Sequence, residues 1–155
     1  MQGEAIPRED SVARLCGETK LSEDKKRTLA GAWKLSSSDR KSPEPHLSVN
    51  WLEFFANSCR EEQLENIRHI LAKKMSRVPR NGRLAVLTVE EIHRAVSEVG
   101  QSVRVLHQPS NQLEVEDLSH SGIFDVEQDE DVIAQALSRA DCELVAALSR
   151  RSASP

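Results

Sequence analysis

The sequence is poor in aromatic residues and in cysteine, and both shortages argue against particular classes of protein. Only 3% of the 155 residues are aromatic, and tyrosine is absent. A stacking platform for single-stranded nucleic acid needs several aromatic side chains, so an RNA-binding sheet is not favoured. The cysteines Cys16, Cys59 and Cys142 form no C-x-x-C pair, which matches neither a zinc knuckle nor a disulfide framework. Unpaired thiols suit a reducing compartment, and we expect a cytoplasmic protein.

Glycine-rich loops and long apolar runs are also missing. The six glycines form neither G-x-x-x-x-G-K nor G-x-G-x-x-G, so we expect no nucleotide cofactor of the usual kind. No window approaches the run of about 18 apolar residues that crosses a bilayer, and no apolar leader opens the sequence. The 21 basic and 25 acidic residues are interspersed along the chain, for a net charge of −4. This balance favours neither nucleic acid nor a membrane as a partner.

The length and the hydrophobic pattern predict a single α+β domain with a small mixed β-sheet and about four helices. Hydrophobic residues make up 38% of the chain, enough to form one mainly aliphatic core. We expect a loose start at residues 1–10, the folded domain at 11–148 and a flexible tail at 149–155.

Periodicity places the individual elements along the chain. Helices are predicted at about 51–57, 60–77, 89–99 and 126–139. Strands are predicted near 12–16, 29–35, 47–51, 84–89, 103–107, 123 and 142–148, and the last of these segments could instead continue the preceding helix. The polar stretches at 36–45 and 108–117 are predicted to be mobile loops.

Capping signals support two of these helices. Thr88, with Glu91 three residues later, forms a capping box for the helix that follows the strand at 84–89. If that strand pairs in parallel with the strand at 103–107, the two and their helix form a right-handed β-α-β unit. Asp125 is the predicted cap of the last helix.

Four blocks of sequence have a distinctive composition. They are LSVNWLE at 47–53, AVLTV at 85–89, VLHQP at 105–109 and DLSHSGI at 117–123. Together these blocks resemble a family of small bacterial proteins that has no assigned function. The resemblance covers about residues 7–148, and the first and last blocks are its most specific parts. It implies a bacterial intracellular protein and transfers no catalytic role to any residue.

The first candidate site lies where the strand at 47–51 passes into the helix predicted at 51–57. Ser48, Asn50 and Glu53 stand at this junction, where a substrate would meet main-chain N–H groups and the positive end of a helix. The structural alternative is that Asn50 caps the helix and that Glu53, three residues later, closes a capping box.

The second candidate site contains two histidines. His107 and His120 are joined by a polar loop and lie close in sequence to Asp117 and Ser119. Two converging imidazoles would act as general acid and base on a phosphate ester or a glycosidic bond. The alternatives are a core histidine bonded to the main chain and a histidine that organises a turn. Asp117, His120 and His107 would also supply three metal ligands, but no metal-binding motif is present and we expect no metal.

Two hypotheses about function follow from these candidates. The leading one is a non-catalytic accessory protein that binds another protein, because no catalytic or cofactor signature is recognisable. It predicts a contiguous exposed apolar patch. The competing one is a small enzyme acting on a nucleotide or RNA-derived phosphate, which requires both histidines to converge in one cleft near Arg14. Its catalytic residues would be His107 and His120, and its substrate-binding residues Arg14, Ser48, Asn50, Asp117 and Ser119.

Overall fold

The computed structural model describes residues 3–75, 78–110 and 116–148, which form a six-stranded sheet with four α-helices. The strands are β1 Ser11–Cys16, β2 His46–Trp51, β3 Arg83–Thr88, β4 Arg104–His107, β5 His120–Phe124 and β6 Glu143–Ala146. The helices are α1 Ser37–Lys41, α2 Arg60–Lys74, α3 Val89–Glu98 and α4 Glu130–Arg139. Short 3₁₀ turns are found at Glu18–Lys20, Ala30–Trp33, Leu52–Phe54 and Val126–Asp129. The predicted α+β class is confirmed.

The sheet is antiparallel throughout, in the order β4-β5-β2-β1-β3-β6. The prediction of a mixed sheet with a parallel β-α-β unit is therefore wrong. Strands β3 and β4 do not pair, since β1, β2 and β5 lie between them. β3 pairs instead with β1 over all six residues, from Ser11 opposite Thr88 to Cys16 opposite Arg83.

The two faces of the sheet are covered differently. The face that we call the α3–α4 face packs against α3, α4 and the turn Ala30–Trp33. Its aliphatic core includes Val12, Leu47, Val49, Leu87, Val105 and Ile123 from the sheet, with Ile92, Ile133 and Leu137 from the helices. On the opposite face, which we call the α2 face, Leu64 and Ile67 of α2 pack over Ala13, Leu84 and Val86 of β1 and β3. The part of this second face formed by β2 and β5 carries polar residues.

Several predicted elements are confirmed near their expected bounds. α3 begins after Thr88, whose Oγ1 accepts a hydrogen bond of 3.1 Å from the main-chain N–H of Glu91. It ends before Gly100, which has a φ of +75° that favours glycine. The segment 142–148 contains strand β6, so the strand interpretation is right and the continued helix is wrong.

The segment 29–35 is not a strand. Ala30–Trp33 forms a 3₁₀ turn, and the indole N–H of Trp33 donates to Thr28 Oγ1 at 2.9 Å. The period-two pattern fails because Leu29 is 45% exposed while Trp33 is buried. The serine-rich segment that follows contains helix α1, since Ser36 and Asp39 form a reciprocal capping box.

The helix predicted at 51–57 and its capping box are also wrong. β2 runs through Trp51, and only the 3₁₀ turn Leu52–Phe54 follows. Asn50 is therefore a strand residue whose side chain points to buried polar partners. Glu53 accepts a hydrogen bond of 2.7 Å from the main-chain N–H of Ser11, which ties the turn to β1.

Asp125 does not cap the last helix. Its φ is +71°, its side chain makes no capping bond, and α4 begins at Glu130 after a 3₁₀ turn. The Asp125 carboxylate accepts instead from two nitrogens of the Arg104 guanidinium, from Nε at 2.7 Å and from Nη2 at 3.1 Å. A bidentate partner on the neighbouring strand thus takes the place of the helix N-terminus.

The first described residues form hydrogen bonds with the edge of the sheet. The main-chain N–H of Ile6 donates to Val105 O at 3.0 Å, and the side chain of Ile6 is buried. Residues 1 and 2, the end of the predicted helix at 76–77, residues 111–115 of the predicted mobile loop and the predicted tail at 149–155 lie outside the described residues. Within the described ranges no helix combines the length and the apolar character needed to cross a lipid bilayer.

Candidate functional site

Polar side chains line up on the α2 face where β2 and β5 pair. The register places Asn50 opposite His120 and Ser48 opposite Gly122. Because side chains alternate along a strand, Ser48, Asn50 and His120 all project from this one face. We call this row the polar strip and include in it His46 on β2 and the residues that contact it from outside the strands, Lys74, Asp117 and Ser119.

The centre of the polar strip is a serine–histidine pair. His120 Nδ1 lies 2.7 Å from the main-chain O of Gln108, and His120 Nε2 lies 3.3 Å from Ser48 Oγ. A carbonyl oxygen only accepts, so Nδ1 carries the proton of the neutral ring and Nε2 accepts from the Ser48 hydroxyl. Ser48 is exposed while His120 is only 9% exposed, so the hydroxyl is the accessible member of the pair.

The surroundings of His120 keep its imidazole neutral. Burial lowers the pKa of His120, and the positive charge of Lys74 acts in the same direction. The hydrogen bond to Gln108 O and the carboxylate of Asp117 oppose this lowering without cancelling it. A neutral ring held in one tautomer is the form in which histidine accepts a proton.

A buried carboxylate anchors the end of the polar strip. Asp117 is completely buried, and it accepts from Asn50 Nδ2 at 2.9 and 3.0 Å and from Ser119 Oγ at 3.0 Å. Lys74, at the end of α2, completes the set with Nζ 3.0 Å from Asp117 Oδ2. The charge is thus both paired and hydrogen-bonded, as a buried aspartate requires. This network joins α2 to the segment that leads into β5.

His46 provides a second imidazole on the same face. Its ring stacks on Phe124 with centroids 4.7 Å apart and meets His120 edge-on at 5.6 Å. His46 Nδ1 donates to Glu44 O at 2.8 Å. The ring lies across Gly122, where an added Cβ would come within 2.6 Å of His46 Cδ2. Because Gly122 has no side chain, the ring of His46 can lie over β5 and meet the ring of His120.

One buried acceptor beside this cluster lacks a donor. The side-chain Oε1 of Gln108 is buried and receives no hydrogen bond from the described residues. Gln108 is also the residue whose main-chain O holds His120. A buried unpaired oxygen is costly, so a bound molecule with an N–H or O–H group would relieve it.

The structure does not bring His107 and His120 together. His107 pairs with Ser121, the neighbour of His120 in β5, so the two imidazoles project from opposite faces of the sheet. His107 Nε2 donates to Leu118 O at 2.7 Å, and its ring meets that of Trp51 at 5.1 Å. These contacts match the alternative of a histidine bonded to the main chain.

Arg14 projects from the α3–α4 face and not into the polar strip. It donates to Ala32 O at 2.6 Å and to the main-chain O of Ser48 at 2.9 Å. Its guanidinium lies 6.0 Å from the centre of the Trp33 ring. Burial lowers the pKa of Arg14, which nevertheless stays a cation. Arg14 thus supports the strand beneath Ser48 from the other side of the sheet.

Two residues of the polar strip carried no functional signal in the sequence. In the sequence Lys74 fits the pattern of a cation that complements the dipole at the carboxyl end of a helix, and His46 fits no pattern. A lysine at a helix end gives the same sequence pattern whether or not a buried carboxylate lies opposite it. Only the tertiary fold therefore identifies Lys74 as a residue of the polar strip. Within the described ranges no three histidine, cysteine or acidic side chains gather closely enough to hold a metal ion.

No protein-family model, curated protein or solved structure matches this chain. The geometry of the polar strip therefore carries the functional argument by itself.

Proposed function

We propose that the protein is a small hydrolase that cleaves a phosphate ester, with Ser48 as the nucleophile and His120 as the general base. The observation that carries this proposal is the linked arrangement of the exposed Ser48 hydroxyl, the buried His120 ring and the Gln108 carbonyl. A nucleophile, a base and a group that orients the base are the elements of activated-serine catalysis.

The proposed reaction has two steps, and His120 Nε2 transfers a proton in each, while the Gln108 carbonyl only holds the ring in place. Ser48 Oγ attacks the phosphorus while its proton passes to His120 Nε2, and the proton then moves to the leaving oxygen as the P–O ester bond breaks. Water, deprotonated by the same nitrogen, then attacks the phosphorus, the P–Oγ bond breaks, and the proton on His120 Nε2 passes to Ser48 Oγ, which restores both residues. Burial disfavours the imidazolium form of His120, which promotes the transfer of its proton to the leaving group.

Two further groups suit a phosphoryl substrate. Lys74 is the cation of the polar strip, and one of its three N–H groups is used by Asp117. Its ammonium stabilises charge that develops on phosphoryl oxygens. His46 Nε2, the ring nitrogen not bonded to Glu44, is an acceptor in the neutral ring and can hold a water molecule or a protonated phosphoryl oxygen by a hydrogen bond.

The direct test is covalent labelling with diisopropyl fluorophosphate, followed by intact-protein mass spectrometry. We expect one adduct on the wild-type chain, none on Ser48→Ala, and labelling slowed at least about 100-fold on His120→Asn, because general-base assistance is lost. Ser97→Ala, which removes an exposed serine of α3, is the matched control and should label as the wild type does. An adduct that persists on Ser48→Ala contradicts the proposal.

Turnover of two chromogenic esters tests the substrate class. We expect release of p-nitrophenol from bis-p-nitrophenyl phosphate, and its loss in Ser48→Ala. Hydrolysis of p-nitrophenyl acetate alone would keep the serine–histidine chemistry and overturn the phosphate class.

The accessory-protein hypothesis is the alternative to this proposal. It expects a contiguous patch of exposed apolar side chains, and the large ones among the described residues are Leu29, Met75, Val99, Leu118 and Val132. A stoichiometric protein partner, captured equally by the wild type and by Ser48→Ala, would favour that alternative. Under either function we place the protein in the cytoplasm, because Cys16, Cys59 and Cys142 are free thiols.

A further inference from the structure

A cleft lies away from the polar strip, between the segment before the Ala30–Trp33 turn and the end of α4. Residues 26–30 form one wall and residues 138–142 form the other, around a volume of about 600 Å³. This volume lies within the range of sites that hold small organic molecules. Leu29, Ala30 and Ala140 form an apolar part of the cleft. Its charged lining residues determine the net charge of the cleft.

Three cations line the cleft from its two walls. Lys26 and Arg27 come from the first wall and Arg139 from the second, and all three are exposed. None of them forms an ion pair with a described residue. Asp141 is the one carboxylate of the described lining, and Asp24 lies close enough to Lys26 and Arg27 to feel their charge. The cations thus outnumber the acidic groups, and their N–H groups are available to a ligand.

A buried hydroxyl on the wall of the cleft is a further donor. Thr28 is 4% exposed and lines the cleft. Its Oγ1 accepts from the indole N–H of Trp33 at 2.9 Å, and an indole nitrogen only donates. The hydroxyl proton of Thr28 finds no acceptor among the described residues, so a ligand oxygen in the cleft would satisfy it.

We propose that this cleft binds a small organic phosphate. Guanidinium groups form paired hydrogen bonds with phosphate oxygens, and Arg27 and Arg139 approach the cleft from opposite walls. The apolar residues between them suit the organic part of the molecule. Arg139 also lies in the last turn of α4, where a cation complements the helix dipole, but Lys26 and Arg27 are outside that helix. The site is independent of Ser48 and His120.

Isothermal titration calorimetry with adenosine diphosphate, pyrophosphate and inorganic phosphate tests this assignment. We expect adenosine diphosphate to bind most tightly, and Arg27→Gln and Arg139→Gln each to weaken it at least about tenfold, because each removes a charged hydrogen-bonding partner. Arg80→Gln removes an exposed arginine outside the cleft and should leave the affinity unchanged. Circular dichroism checks that all variants are folded.

Three results would overturn the assignment. The first is no binding of any of the three ligands. The second is an equal loss of affinity in Arg80→Gln, which would indicate attraction by the general surface charge. The third is binding of a single-stranded RNA 12-mer that depends on Arg27 and Arg139, without binding of adenosine diphosphate. Failure of this test leaves fluorophosphate labelling of Ser48 unaffected, so the two proposals fail separately.

Discussion

The two faces of the sheet differ most sharply within the single strand β5. Ile123 points into the aliphatic core of the α3–α4 face and is completely buried. Its neighbour Gly122 and the nearby His120 belong to the α2 face, where polar side chains contact one another. One strand thus supports a core that depends on packing volume and a site that depends on hydrogen-bond geometry. Mutations on the two faces should therefore separate stability from chemistry.

The largest loss of stability is expected from the buried carboxylate. Asp117→Ala leaves Lys74, Asn50 and Ser119 without their shared acceptor, and removing one partner of a buried ion pair costs about 4 kcal/mol in the free energy of unfolding. Urea unfolding measures this cost. Asp141→Ala removes an exposed aspartate and should change the stability little. A loss below about 1 kcal/mol for Asp117→Ala would mean that the network adds little to the fold.

On the α3–α4 face the expected loss comes from packing alone. Ile123→Ala removes buried methylene and methyl groups and leaves a cavity, at a cost of about 3 kcal/mol. Urea unfolding again gives the magnitude. Fluorophosphate labelling of Ser48 in the folded variant should remain at the wild-type rate, because Ile123 points away from the polar strip. A lower labelling rate in Ile123→Ala would mean that the packing of the α3–α4 face affects the chemistry of the polar strip.

Gly122→Ala sharpens the comparison, because it changes the same strand on the opposite face. The added Cβ would lie 2.6 Å from His46 Cδ2 and 2.8 Å from Phe124 Cε1, so one ring must move. Such overpacking costs about 2 kcal/mol, and it should also slow labelling of Ser48, since His46 and His120 are in contact. Ser121→Ala is the matched neighbour on the other face. It should leave the labelling rate unchanged, and an equal slowing there would contradict the role of Gly122.

The local pattern of the sequence predicted the elements better than their arrangement. α3 and β3 follow from periodicity and from the Thr88 cap, because these signals are contained within a few residues. The antiparallel order does not follow, because pairing of β1 with β3 joins residues about 70 positions apart whose alternation would suit several partners. The strand predicted at 29–35 is wrong because aromatic or aliphatic residues spaced two apart also occur in a buried turn.

The candidate site was predictable as separate residues and not as a site. Ser48, Asn50, Asp117, Ser119 and His120 were all singled out from the sequence. Their meeting depends on the register of β2 with β5, which no local pattern specifies. The register of β4 with β5 places His107 on the far face, although its sequence distance from His120 suggested a pair. Whether two side chains meet on a sheet depends on the strand order and on the face to which each side chain points, more than on their separation along the chain.

The smallest expected effect is the pH dependence that His120 adds to stability. Burial lowers the pKa of folded His120 below its ordinary value of 6.5, so the unfolded chain binds more protons between the two values. The free energy of unfolding should therefore fall as the pH drops from 6.5 toward the lowered pKa, and stay level in this respect above 6.5. Lys74 and His46 favour the neutral ring, while Asp117 and the Gln108 carbonyl favour the charged ring.

Replacing His120 with Asn tests that contribution through thermal melting between pH 5 and pH 8, where about 6.5 marks the ordinary histidine pKa. We expect the melting temperature of wild type to fall more steeply on the acid side than that of His120→Asn, and the two curves to run parallel above neutral pH. His93, whose pKa burial also lowers, is present in both chains and cancels. The exposed His69→Asn should keep the wild-type slope. If His120→Asn keeps that slope as well, the polar strip does not hold His120 neutral, and its role as a base loses its physical support.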